Sequence, residues 1–220
     1  MIKKVIKSYL VFTSFLYRLA IFVILPLAML AISIALSMGM GRKSYFVTPY
    51  LIPVFLIMVE VVADNWMFGG IQAKYAERMD VLRTSGRGMK VIKDALALDL
   101  IRRLLSMAGI TALCLLAETL LMGGTAAGVI ETVPILLGML FFCYDLSVLG
   151  TLAARFGTFV WINCLIGYAG VVAGTWGGVA MSLPERGVVP AIVLAVLAVP
   201  VSALTVRAAM KKVRGGYYDK

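Results

Sequence analysis

KYAERMDVLRTSGRGMKVIKDALALDLIRR, spanning Lys74–Arg103, holds eight of the 21 Lys and Arg residues of a chain that is otherwise largely apolar. Tyr75, Met79 and Leu82 recur at helical spacing, Thr84–Gly88 interrupts the pattern, and Met89, Ile92, Leu96 and Leu100 resume it. The spacing predicts a short helix, a turn and a second amphipathic helix. A run of charge is by default a solvated loop. The apolar stripe argues against that default, because a solvated loop needs no buried face. A cytoplasmic docking element is the sharper reading.

On either side of this segment the chain reads as membrane. A 62% hydrophobic composition with a mean hydropathy of +0.99 exceeds what a soluble domain of 220 residues can bury. Six apolar runs approach the length of about 20 residues needed to cross a bilayer as a helix. They cover about residues 19–38, 46–68, 102–123, 132–154, 156–181 and 187–208. Pro26, Pro49 and Pro53 are tolerated in such helices because neighbours satisfy the freed carbonyls. Residues 1–18 mix Lys3, Lys4, Lys7 and Arg18 with aliphatic and aromatic side chains, the pattern of an interfacial amphipathic helix. A signal peptide fits less well, since no small-residue cleavage site follows and the next span is long.

The Lys and Arg residues orient these spans. Counted on alternate sides, 18 fall with the N-terminus, the charged segment, Arg155 and the tail, leaving Arg42, Lys43 and Arg186 opposite. By the positive-inside rule both termini are cytoplasmic in a cell membrane. The division expected is residues 1–18, an interfacial helix; 19–73, spans one and two; 74–101, the cytoplasmic segment; 102–208, spans three to six; and 209–220, a basic tail. The net charge of +10 flanks apolar runs and forms no single basic face, which favours the lipid bilayer over nucleic acid as the partner.

Few residues inside the spans carry chemistry. Glu60 and Asp64 are four apart and share one helix face. Tyr144 and Asp145 sit near the middle of the fourth span, and Glu118 toward the outer part of the third. Ionisable groups at such depth are costly and face protein or water. They line a substrate path, or else they are structural partners of Arg18, Arg102, Arg103 or a helix backbone. The structural reading is preferred for Asp64, and the two are evenly weighted for Glu60 and Asp145. No nucleophile, base and oxyanion constellation accompanies the carboxylates. The chain has no histidine, which excludes His-based catalysis and His-ligated metal. Cys114, Cys143 and Cys164 all lie in apolar runs and read as packing residues.

Gly170, Gly174 and Gly178 form two overlapping GxxxG units, a seam that lets helix backbones approach closely, within one chain or between subunits. Trp66, Trp161 and Trp176 are candidate interfacial anchors. GMGRKS at Gly39–Ser44 and GGTAAG at Gly123–Gly128 are incomplete as phosphate loops, so any energy source is a partner or an ion gradient.

An interfacial N-terminal helix, six spans with both ends inside, and a charged helical segment after the second span together resemble the permease subunit of an ATP-binding-cassette exporter of the type-2 (type V fold) class. In that family the segment is a coupling helix, often opening with an acidic and basic pair followed by a leucine and a Thr/Ser-rich turn. Glu77-Arg78 followed by Val81-Leu82-Arg83-Thr84-Ser85 is similar. The chain departs from the pattern in having Gly86 where a proline is common, and short outer loops. The resemblance implies an all-α polytopic fold with a coupling helix between spans two and three. It implies a second permease subunit, identical or closely related, and a separate ATPase that binds ATP and Mg. Glu77, Arg78, Asp80, Leu82, Arg83, Thr84 and Arg87, within residues 75–93, would then seat in the ATPase, and the cargo would be a peptide, drug or lipid. Three other classes remain: a non-transport scaffold or immunity protein, an ion-coupled secondary transporter using Glu60 and Asp145, and a membrane-embedded enzyme. Inverted-repeat transporters carry paired broken helices, and no matching pair is visible.

Overall fold

Helix α1, Ile2–Phe12, opens the chain and carries Lys4 and Lys7 exposed while Tyr9 is buried. It stops at Thr13–Ser14. Ser14 is extended, and its side chain accepts the Tyr17 N–H at 3.1 Å, capping α2, Phe15–Leu19. A π-helical stretch, Ala20–Ile24, joins α2 to α3, Leu25–Met40, with the Leu25 N–H reaching the Ala20 carbonyl. The widening falls just before Pro26, whose ring and missing N–H disturb an ordinary helical turn. The computed structural model describes residues 2–40, 47–68, 82, 84–122, 126–156, 160–181 and 188–215.

The remaining helices are long. They are α4, Val47–Phe68; α5, Gly88–Met122; α6, Ala126–Phe156; α7, Val160–Met181; and α8, Val188–Gly215. Helices α4 and α6 are central: α4 packs on α3, α5, α6 and α7, and α6 on α4, α5, α7 and α8. Among the described residues, five stretches are long and apolar enough to cross a membrane: Phe15–Gly39, Tyr50–Phe68, Gly88–Leu121, Val133–Ala154 and Val189–Lys211. Large apolar side chains such as Leu27, Leu120, Trp161, Trp176 and Val199 point outward, while Glu60, Asp64, Asp99, Arg102 and Arg103 are buried. Apolar outside and charged inside is the polarity of a membrane-embedded bundle.

Two apolar clusters order the bundle along its length. One gathers Met29, Ile57, Met107, Cys114, Met139, Cys143 and Val148 between the helices at mid-height. The other gathers Tyr9, Phe68, Ile92, Leu96, Ala209 and Val213, so α1, the end of α4, the start of α5 and the end of α8 meet at one end of the molecule. Sequence reading expects an amphipathic helix ending near Leu100 and a separate span from about residue 102. Instead, α5 is one helix of 35 residues, about 52 Å at a rise of 1.5 Å per residue. Likewise the apolar span at the N-terminus begins at Phe15, a few residues before the expected 19.

Glycines explain two close approaches. An added Cβ at Gly170 or Gly174 would fall 2.7 or 2.9 Å from Ile57 of α4, and one at Gly178 would fall 3.0 Å from Met139 of α6. The small-residue seam on α7 therefore packs within this chain. At the start of α5, the Leu82 carbonyl occupies the space a Cβ on Gly88 would need. That tight entry is closed by the Gly88 N–H on the Ser85 carbonyl at 3.0 Å and the Ser85 hydroxyl on the Leu82 carbonyl at 3.3 Å.

Candidate functional site

Asp99, Arg102 and Arg103 lie three and four residues apart on α5, so their side chains leave one face of that helix. Glu60 and Asp64 do the same on α4. Where the two faces meet, five charges interlock inside the bundle. Arg102 grips Glu60 with both terminal nitrogens, at 3.0 and 2.6 Å, and turns its Nε to Asp99 at 3.0 Å. Arg103 donates to Asp64 at 3.3 Å and Asp99 at 3.1 Å, and its Nε lies 3.6 Å from Glu60. Its other terminal nitrogen reaches α6, donating to the Ser147 carbonyl at 3.1 Å and the Thr151 hydroxyl at 3.3 Å. Arg103 and Glu60 are each 0% exposed.

Burying even one charge is expensive, and attraction in a low-dielectric interior offsets the loss only when geometry is good and the remaining donors are satisfied. The bidentate Arg102–Glu60 pair meets that condition. That pair ties α5 to α4, and Arg103 extends the tie to α6 at the same level. Tyr9 of α1 and Tyr17 of α2 are buried beside this network. Burial pushes the Tyr9 phenol from its ordinary 10 to about 12, with Arg102 acting against the shift and Asp99 with it.

The other intramembrane candidates lie apart from this cluster. Glu118 accepts a hydrogen bond from Ser37 of α3 at 3.3 Å. The Tyr144 hydroxyl is 2.8 Å from that of Ser202, joining α6 to α8. Asp145 is buried, and its Oδ1 has no hydrogen-bond partner among the described residues. Arg18, weighed as a partner for these acids, is exposed and donates to the Ser14 carbonyl at 3.4 Å. Of the proposed docking residues, Glu77, Arg78, Asp80 and Arg83 lie outside the described residues. Leu82 packs against the cluster at that end of the bundle, and Thr84 and Arg87 are exposed.

Sequence reading named Arg102 and Arg103 only as conceivable partners and missed Asp99, Ser147 and Thr151. The signal for Asp99 was present in its spacing to both arginines inside an apolar run. Ser147 and Thr151 gave none, since their role depends on how α6 crosses α5. Among the described residues, no group of His, Cys, Asp or Glu is arranged to hold a metal ion. Cys114 and Cys143 are buried free thiols and Cys164 a half-buried one. No protein-family model, curated protein or solved structure matches the chain.

Proposed function

We propose that this chain is the transmembrane subunit of an ATP-binding-cassette exporter. In this reading α7 supplies a sixth span, both termini are cytoplasmic, and a second permease subunit completes the path for a peptide, drug or lipid. A separate ATPase binds ATP and Mg and docks on residues 75–93. The observation that carries the reading is the ion network below the charged segment. That segment joins α4 to α5, and Glu60, Asp64, Asp99, Arg102 and Arg103 clamp those same two helices together. A force applied to the segment then moves two spans as one body and, through Arg103, presses on α6. Coupling of this kind requires that the ATPase bind two arrangements of the bundle unequally.

The test is purification of the tagged full chain in mild detergent, native and as Glu77→Ala/Arg78→Ala/Arg83→Ala. Co-purifying chains are identified and ATP hydrolysis is assayed. An ATP-binding-cassette subunit that accompanies the native chain and is lost from the triple variant supports docking on the segment. Absence of any ATPase from a folded native preparation removes the exporter assignment. One observation favours the ion-coupled alternative, namely the unpaired Oδ1 of Asp145. Glu60 is a poorer ion carrier, because releasing it would leave Arg102 buried against Asp99 alone.

A further inference from the structure

Between α5, α6 and α8 runs a groove of about 1060 Å³, at the upper limit of ordinary small-molecule sites, about 300–1,000 Å³. Small side chains open it: Ala97 on α5 and Ala195, Ala198 and Ala203 on α8 all line it. Ile101, Leu105 and Val199 on its rims are each more than half exposed, so the groove opens sideways toward the surroundings of the bundle. At one end its apolar walls give way to Lys93, Arg207, Lys211 and Arg214. All four are exposed, and none forms an ion pair among the described residues. The contrast with Arg102 and Arg103, both bound to carboxylates, is sharp.

We infer that this groove binds one anionic phospholipid, with the phosphate among Lys93, Arg207, Lys211 and Arg214 and the acyl chains along α5 and α8. The hydrogen-bonded hydroxyls of Tyr144 and Ser202 also line the groove. Ser202 precedes Arg207 by five residues, about 8 Å along the helix, placing the hydroxyls at the level of the ester linkages. A free phosphate would leave the apolar walls unused. An acidic peptide would bring unsatisfied backbone groups to membrane depth. The inference rests on the bundle being membrane-embedded and is independent of any ATPase.

The experiment uses the full chain stripped of bulk lipid in mild detergent. It is titrated with phosphatidylglycerol or phosphatidylcholine of matched chains, and occupancy is read by native mass spectrometry. The expected result is a single phosphatidylglycerol bound at least about tenfold more tightly than phosphatidylcholine. Each cation near an anionic lipid contributes about fivefold, so Arg207→Gln/Lys211→Gln/Arg214→Gln should weaken phosphatidylglycerol on the order of a hundredfold and leave phosphatidylcholine unchanged. Ala198→Phe, which fills the wall, should weaken both lipids. Lys4→Gln/Lys7→Gln on α1 controls for general surface charge. Equal affinity for the two lipids overturns the inference, as does a control variant that weakens binding as much per charge as the groove variant. Competition by glycerol phosphate at the same concentrations as the lipid overturns it too, since the site would then be one for a soluble phosphate. The groove cations are exposed, so their replacement tests the idea even where Ala198→Phe does not fold.

Discussion

Arg103 is fully enclosed, yet it donates hydrogen bonds to Asp64, Asp99, the Ser147 carbonyl and Thr151. Such a residue is retained for what its loss would leave behind. Arg103→Met removes one of the two guanidinium groups that balance Glu60, Asp64 and Asp99 in the interior and should cost about 3–5 kcal/mol, measured by thermal unfolding in detergent. Arg103→Lys should recover only part of that, because an ammonium cannot reproduce the planar fork that bridges α4 and α6. An unchanged melting temperature in Arg103→Met would mean that the network is not formed. Asp145 poses the opposite problem. Its unpaired Oδ1 is a burial without compensation, so Asp145→Asn should raise stability by on the order of 1 kcal/mol. A loss of stability in that variant would reveal a partner for the carboxylate and remove the case for a mobile ion there.

At the level of helices, contacts decide whether α7 is a wall of this chain or a surface for another. The glycine seam faces Ile57 of α4 and Met139 of α6, so Gly170→Ala should overpack the chain itself and cost about 1–3 kcal/mol. The smaller Ile57→Ala should relieve that cost in the double variant, giving a coupling that a seam between subunits would not show. Helix α1 is held differently, through a buried phenol near Arg102 and Asp99. The Tyr9 pKa is raised in the folded state, so its contribution is fully present below pH 10 and is lost as pH rises toward about 12. Two units correspond to about 2–3 kcal/mol. Between pH 10 and 12 the native protein should therefore lose more stability than Tyr9→Phe. The all-helical, membrane-embedded character was legible in the sequence because the apolar runs are long and the turns between them are marked. The unbroken α5 was not. Arg102 and Arg103 read as the edge of a span, and only the acids that neutralise them, up to 42 residues away, let the helix carry those charges inward. The i, i+4 pair Glu60 and Asp64 was visible for the same reason that its partners were not, since spacing along one helix is written in the sequence and crossing between helices is not.

For the molecule as a whole, the decisive arrangement is that α1, the end of α4, the start of α5 and the end of α8 share one apolar cluster. In the proposed six-span reading, elements from both ends of the chain meet at one end of the bundle because the crossings are even in number, and the positive-inside rule would put that end in the cytoplasm. The six-span reading therefore commits to specific sides. With Cys114, Cys143 and Cys164 replaced by alanine, single cysteines at Lys4, Arg87 and Lys211 should react with a membrane-impermeant maleimide only after the cytoplasmic face is opened. Cysteines at Arg42 and Arg186 should react in intact cells. Position 186 carries the most information, because it separates a crossing by α7 from a helix that folds back on the side it left. If Arg186→Cys were to label with Arg87→Cys rather than with Arg42→Cys, α7 would not cross. The chain would then have lost the sixth span on which the exporter reading depends, while the ion network and the groove between α5, α6 and α8 would stand unchanged.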